Sequence, residues 1–282
     1  MEKKPPFFTR LKGKLLQWKQ RYKKWREKKQ LFLIYSMGKV GTTTVYSLIR
    51  KQYPQFPIIQ VHFMSDYWVK EVLPQLNPEF HNNILIADKA YKLIEDHPQH
   101  RIKVVTMVRE PMAREISDIF QNWKGLFAVD SMSSLTFLRL KEYLDKHDHH
   151  YVLNWFDSEF KSYLDFDIYA HPFDIEKGYS IYKTTKMDIL VIRTDRLNDC
   201  VVEAISKLCG IKVKLTGSTN TIEQKDNNEL YFELIKGYEA SPEKLRLLYT
   251  SRLVKHFYTE FEINAFIKKW SHGKCNLKQL KS

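Results

Sequence analysis

The segment Leu31-Phe-Leu-Ile-Tyr-Ser-Met-Gly-Lys-Val-Gly-Thr-Thr-Thr44 opens as a continuous apolar run and closes on a turn containing Gly38 and Gly41. A short run of branched and aromatic residues predicts a strand buried on both faces. Beyond the turn, Val45, Leu48 and Ile49 share one side of a helix over 43–52, which stops before Pro54 because proline cannot continue it. The unit is strand, loop, helix. Further along, strands are predicted at Pro57-Ile-Ile-Gln-Val-His62, Ile102-Lys-Val-Val-Thr-Met-Val108 and Met187-Asp-Ile-Leu-Val-Ile-Arg193. Helices fit 66–75, 85–96, 112–122, 134–147, 154–164 and 198–209, and the end from 228 to 270 reads mostly helical. Alternating strands and helices predict an α/β protein of three layers: a central, mostly parallel sheet between helices, with extra C-terminal helices.

Length and composition agree. The 282 residues carry 43% hydrophobic and 14% aromatic residues with only 9 Gly and 10 Pro, enough to bury a full core and unlike a disordered or collagenous chain. No apolar run approaches the roughly 20 residues that cross a bilayer. The opening residues lack the apolar stretch of a secretory signal, so the cytoplasm is the expected compartment. Three cysteines, none in a Cys-x-x-Cys pair, offer neither a disulfide framework nor a zinc site.

The net charge of +13 is concentrated at one end. Residues 1–30 hold 12 Lys/Arg against 2 Glu, a net +10, and leave the body at only +3. Phe8, Leu11, Leu15, Trp18, Tyr22 and Trp25 recur at helical steps among these basic residues. Residues 1–30 are therefore read as a basic amphipathic helical extension and 31–282 as a single α/β domain. The extension, through residues 1–28, either lies on an anionic membrane surface or packs its apolar stripe on protein. Nucleic acid is not the expected partner, since no zinc finger, helix-turn-helix or RNP signature is present.

The turn after the first strand is placed to hold an anion, because backbone N–H groups at a helix start lack intrahelical partners. Gly38 and Gly41 allow close approach, Lys39 offers a point charge, and Thr42, Thr43 and Thr44 offer hydroxyls. The arrangement is P-loop-like, but the nucleotide-triphosphatase pattern ends in Gly-Lys-[Ser/Thr], whereas here Lys39 precedes Gly41 by two positions. The third predicted strand ends on Arg109 rather than on an acidic residue suited to Mg²⁺, and Ser117 follows eight residues later. An extra phosphate, not a metal, is implied. Arg114 has two readings, a phosphate contact or an ion pair with Glu110 on the helix surface.

Taken together, the two motifs resemble the sulfotransferases that use 3′-phosphoadenosine 5′-phosphosulfate. In that superfamily a strand–loop–helix element binds the 5′-phosphosulfate, to which Lys39, Gly41, Thr42, Thr43 and Thr44 correspond. An arginine followed eight residues later by a serine binds the 3′-phosphate, to which Arg109 and Ser117 correspond. Lys225, before the last helices, stands where related enzymes present a basic residue to the same phosphate. The run Tyr35–Thr42, Arg109-Glu-Pro111, Asn154-Trp-Phe-Asp157, Pro172-Phe-Asp174 and His256-Phe-Tyr258 also resembles bacterial sulfotransferase-like proteins of capsular polysaccharide synthesis, over most of 31–270. At the first loop many cytosolic members read Pro-Lys-Ser/Thr-Gly-Thr, while here Met37-Gly38 precedes Lys39 and Val40 follows it.

Sulfonate transfer to a hydroxyl needs a base near the acceptor oxygen. His62 ends the second predicted strand at the loop's edge of the sheet and resembles the strand-end histidine of the polysaccharide 2-O-sulfotransferases, which serves as base. Lys39 would then act in catalysis as well, on the bridging oxygen. His147, His149 and His150, near Asp145 and Asp148, read as a polar helix end rather than a metal site. Asn154, Trp155 and Asp157 belong either to an acceptor pocket or to the core. The expected activity is sulfonate transfer from 3′-phosphoadenosine 5′-phosphosulfate to a hydroxyl, the glycan acceptor being implied by the resemblance alone, with no metal. Two alternatives stand beside it: a P-loop-like nucleotide-dependent kinase, and a non-catalytic phosphate-binding protein of polysaccharide assembly.

Overall fold

The computed structural model describes residues 29–210, 228–276 and 279–280. Residues 1–28 of the extension expected over 1–30, the segment 216–221 expected as a loop, and Lys225 lie outside the described residues, while Gln30 already belongs to the first strand.

Five strands form one sheet: β1 (Gln30–Tyr35), β2 (Ile58–Val61), β3 (Arg101–Val108), β4 (Tyr179–Lys183) and β5 (Met187–Arg193). Their order is β2-β1-β3-β5-β4, with β1 parallel to β2 and β3, and β3 parallel to β5. Neighbouring side chains on a strand face opposite sides, and every residue of β1 is buried, so both faces of the sheet are covered. This is the three-layer, mostly parallel α/β architecture that the alternating pattern predicts. β4 is the strand the sequence pattern does not announce. It pairs antiparallel with β5 at the sheet edge, across a turn in which Thr184 Oγ1 accepts from the Lys186 and Met187 N–H groups at 3.2 and 3.0 Å. Edge position leaves it only partly buried, which removes the apolar signature.

Helices α1 (Thr42–Gln52), α2 (Asn82–Glu95), α3 (Pro111–Phe127), α4 (Phe137–Lys146), α5 (His150–Trp155) and α6 (Leu197–Cys209) alternate with the strands. Two stretches expected as regular helix are not. The first becomes a π-helical turn, Tyr67–Val72, followed by a 3₁₀ turn, Leu73–Gln75; the second passes from α5 into a π-helical Phe156–Lys161. Wider turns are common beside functional sites, and these two flank the end of β2.

The C-terminal helices are α7 (Asn228–Gly237), α8 (Pro242–Tyr249), α9 (Arg252–Phe257) and α10 (Glu260–Trp270). Ser241, Ser251 and Thr259 cap the last three through their side chains, and Thr259 with Glu262 completes a capping box. Arg193, the last residue of β5, ties this layer to the sheet. Fully buried, it donates to Glu262 Oε1 at 2.5 Å, Asp195 Oδ2 at 2.5 Å and the Phe257 carbonyl at 3.2 Å, and its guanidinium lies 4.3 Å from the Tyr258 ring centre. Burial opposes its charge, but Asp195 and Glu262 outweigh that and raise its pKa. Removing a buried ion-pair partner is costly. Arg193→Ala is expected to lower stability by about 3 kcal/mol, at the lower end of that range because Glu262 keeps some solvent; urea unfolding with an unchanged midpoint would refute the tie.

Candidate functional site

The connections leave β1 toward β2 and β3 toward β5, so the strand order reverses between β1 and β3. In open α/β sheets the crevice outside the carboxyl ends at such a reversal is where ligands bind. The loop after β1 and Arg109 after β3 both emerge there. Ser36 stitches the two strand ends together: its Oγ donates to the Met107 carbonyl at 3.1 Å and accepts from the Met107 N–H at 3.0 Å.

Lys39 has φ 69° and Gly41 φ 90°, both in the left-handed region. For a residue with a Cβ that conformation costs on the order of 1–2 kcal/mol, so something must hold Lys39 in it. Three consecutive carbonyls do. Gly38 O accepts from Arg114 Nε at 3.1 Å, Lys39 O from Arg109 Nη1 at 2.9 Å, and Val40 O from Thr194 Oγ1 at 2.6 Å. In a trans peptide the N–H points opposite to the carbonyl it shares a plane with, and among the described residues no peptide is cis. The N–H groups of Lys39, Val40 and Gly41 are therefore aimed away from these donors. They run into the start of α1, whose cap residue Gly41 supplies no side-chain acceptor and whose first turn holds no acid. Such a row of N–H groups at a helix start suits an anion. Thr43 is exposed and Thr44 half-buried, while Thr42 is buried and accepts from Gln60 Nε2 at 3.0 Å.

Arg109 thus meets the lysine-bearing turn directly. Its guanidinium is partly buried, which lowers its pKa, and among the described residues no carboxylate lies within ion-pair distance of it. Ser117 sits half-buried in α3. Glu110, beside Arg109, is committed elsewhere: Oε1 and Oε2 accept from the Met112 and Ala113 N–H groups at 2.8 Å each, capping α3, and Oε1 also takes the Tyr249 hydroxyl. The surface pair between Glu110 and Arg114 does not form. Arg114 is buried and turns to Glu115 and Asp118, at 3.1 and 3.2 Å. Burial opposes its charge, yet those two carboxylates raise its pKa.

His62 follows β2. Its Nδ1 lies 2.6 Å from the Ser36 carbonyl, which can only accept, so Nδ1 carries the proton and Nε2 a lone pair in the neutral ring. Burial, with further contributions from Lys39 and Arg114, lowers its pKa from 6.5 against the opposing Ser36 hydrogen bond. The ring is a neutral base at physiological pH. Trp155 is fully buried core, and its Nε1 donates to the His62 carbonyl at 3.1 Å. Asn154 bonds back to the His150 carbonyl at 3.0 Å, and Asp157 lies 3.6 Å from Arg252.

Glu159 is the residue that sequence reasoning misses. Fully buried, it accepts at Oε1 from the Tyr35 hydroxyl at 2.5 Å, the Ser65 N–H at 2.8 Å and the Met64 N–H, and at Oε2 from the Ser65 hydroxyl at 2.5 Å. It fastens the segment after His62 to the end of β1. Nothing local in Asp157-Ser-Glu-Phe160 distinguishes it from a solvated helix acid.

The histidine cluster is also rearranged. Asp145 pairs with Lys141, and Asp148 accepts from the His150 N–H at 2.9 Å. His149 is fully buried rather than part of a polar helix end. Glu115, His147 and His149 bring donor atoms within 4.8 Å of one another, but Arg114 already stands at Glu115, and Lys244 Nζ lies 2.9 Å from His149 Nε2. Two basic side chains thus border the only such grouping among the described residues.

A family model described as "Putative capsular polysaccharide synthesis protein" matches residues 128–259. The chain is similar to capsular polysaccharide synthesis proteins. The matched stretch contains Tyr151, Glu159 and Thr194, while the β1 loop, His62 and Arg109 lie before it. A solved sulfotransferase from Alicyclobacillus acidocaldarius is 13% identical with a TM-score of 0.39, covering 89% of this chain and 98% of that one. A likeness so loose carries no argument about activity. No curated protein matches the chain, and among the described residues no helix is long and apolar enough to cross a membrane.

Burial raises the pKa of Glu159 more than its hydrogen bonds lower it. The folded state therefore holds that proton more tightly than the unfolded chain, and stability falls as pH rises from about 4.5 through the raised value. Glu159→Gln should remove this component, so the variant gains on the native chain with rising pH. Parallel urea midpoints for the two proteins across that range would overturn it.

Proposed function

We propose that the chain is a sulfotransferase, moving a sulfonate group from 3′-phosphoadenosine 5′-phosphosulfate to a hydroxyl of a glycan acceptor. The observation that carries the reading is the Arg109 bond to the Lys39 carbonyl at 2.9 Å, which brings the two halves of a phosphate-binding motif to one crevice. The site suits a nucleotide with charge at both ends. The N–H row of residues 39–41 and the start of α1 would take the 5′-phosphosulfate, with Thr42, Thr43 and Thr44 adding hydroxyls. Arg109, lacking a carboxylate partner among the described residues, would take the 3′-phosphate with Ser117 and Lys225. Residues 31–282 act as one domain in this reading.

His62 Nε2 accepts the proton of the acceptor hydroxyl as its oxygen attacks sulfur. The bond from sulfur to the bridging oxygen breaks, and adenosine 3′,5′-bisphosphate leaves with the electron pair. Lys39 stabilises the charge that grows on that oxygen. The base needs no metal to ionise the hydroxyl. Glu110, the first acid after β3, has both oxygens occupied by α3 and Tyr249, which disfavours a kinase-type cation there. In this reading the protein works in the cytoplasm, with residues 1–28 either contacting a membrane surface or packing their apolar stripe on protein.

Titration calorimetry with adenosine 3′,5′-bisphosphate, ADP and ATP, each with and without Mg²⁺, tests the reading. Tight binding of the bisphosphate alone is expected, and preference for ATP with Mg²⁺ refutes it. Arg109→Ala should weaken the bisphosphate by about 1.5–3 kcal/mol, the range for a hydrogen bond to a charged group. His62→Ala should retain binding and lose turnover. In the native enzyme kcat should fall only on the acid side of 6.5, since the imidazole pKa is lowered; a limb above that value removes His62 as the base.

A further inference from the structure

Gly38 is held at both of its backbone polar groups. Its N–H donates to the Tyr151 hydroxyl at 3.3 Å and its carbonyl accepts from Arg114 Nε at 3.1 Å. The two holders touch each other: the Arg114 guanidinium carbon lies 4.7 Å from the centre of the Tyr151 ring. They come from different helices, Arg114 from α3 and Tyr151 from α5, so the loop after β1 is gripped by a stacked pair assembled only in the fold.

The two arginines of this site differ in their surroundings. Arg109 has a carbonyl partner and no carboxylate within ion-pair distance among the described residues. Arg114 faces Glu115 and Asp118 at 3.1 and 3.2 Å, and Glu115 is itself backed by His147 at 3.4 Å and His149 at 3.6 Å. A guanidinium whose charge is matched by two carboxylates and whose Nε and Nη1 are spent on protein acceptors has less left for a phosphate. What it does reach is the carbonyl of the peptide whose N–H belongs to Lys39, the strained residue. Fixing that carbonyl turns the Lys39 N–H the opposite way, toward the crevice.

We propose that Arg114 and Tyr151 are positioning residues that clamp the Gly38 peptide, and so aim the loop at the 5′-phosphate of the donor without touching it. The role rests on the sulfotransferase reading above. It differs from a contact by Arg114 with the 3′-phosphate, because a clamp on the loop acts on both nucleotides alike, whereas such a contact acts only on the one that carries that phosphate.

Tyr151→Phe removes one oxygen and leaves the stacked ring in place, and Arg114→Lys keeps the charge but loses the fork. Calorimetry on the full chain would compare adenosine 5′-phosphate with adenosine 3′,5′-bisphosphate. Tyr151→Phe should weaken both by the same factor, about three- to tenfold for one lost hydrogen bond, and Arg114→Lys both by more. Arg109→Ala should instead erase the preference for the bisphosphate. Hydrogen exchange supplies a ligand-free readout: the Gly38 amide should exchange faster in Tyr151→Phe, with the strands of the sheet unchanged. Equal affinities and equal Gly38 exchange in Tyr151→Phe and the native chain would overturn the clamp, as would an Arg114→Lys variant that loses only the bisphosphate preference. If the native chain binds neither nucleotide, the sulfotransferase reading falls, whereas native binding with unaltered variants removes the clamp alone.

Discussion

The hydrogen bonds that hold the carbonyls of Gly38, Lys39 and Val40 are the constraint from which the rest of the site follows. Each comes from a different element: Arg114 from α3, Arg109 from the end of β3, and Thr194 from the end of β5. Three carbonyls turned toward protein leave the three paired N–H groups pointing the opposite way, and the left-handed backbone at Lys39 persists because its neighbours over-determine it. The loop is a shape that the sheet order imposes. Were β1 not next to β3, and β3 not next to β5, no two of those donors could reach it.

Buried charge is distributed around this loop with a consistent logic. Arg193, Arg114 and Glu115 each face opposite charges, while Glu110 and Glu159 are surrounded by N–H and hydroxyl donors. A buried ionised group without compensation costs several kcal/mol, on the order of a whole domain's margin. Arg109 departs from the pattern, with a carbonyl and no carboxylate within ion-pair distance among the described residues. An anionic ligand in the crevice would supply the missing partner, and this is why geometry and electrostatics point to the same place.

The His62 side of the crevice is built by a second set of long-range contacts. The Ser36 carbonyl accepts a hydrogen bond from His62 Nδ1, Trp155 donates to the His62 carbonyl, and Glu159 gathers Tyr35, Met64 and Ser65. The ring's tautomer is settled by a backbone carbonyl at the end of β1, which is also where the lysine-bearing loop starts. One strand end therefore sets both where the lysine-bearing turn begins and which ring nitrogen of the histidine keeps its lone pair. The family match begins at residue 128, so it includes Trp155 and Glu159 but not His62.

Strand and helix order, the four parallel strands and the loop between β1 and α1 were legible in the chain itself, because each rests on local patterning: continuous apolar runs, helical periodicity, and glycine where the backbone turns. Lys39, His62 and Arg109 could be singled out because strand ends are predictable and chemistry collects there. The edge strand β4, the π-helical turns and the partners of Arg114 could not, since a half-buried edge and an acid on a helix look alike whether or not something packs against them. Glu159 reads as a surface acid until the fold buries it under Tyr35, and His149 as a helix-end residue until Lys244 and Glu115 close around it. Hydrophobic period acts between near neighbours and is written along the chain, whereas the pairing of buried polar groups depends on which distant elements arrive together, and that is decided only when the sheet and its helices pack.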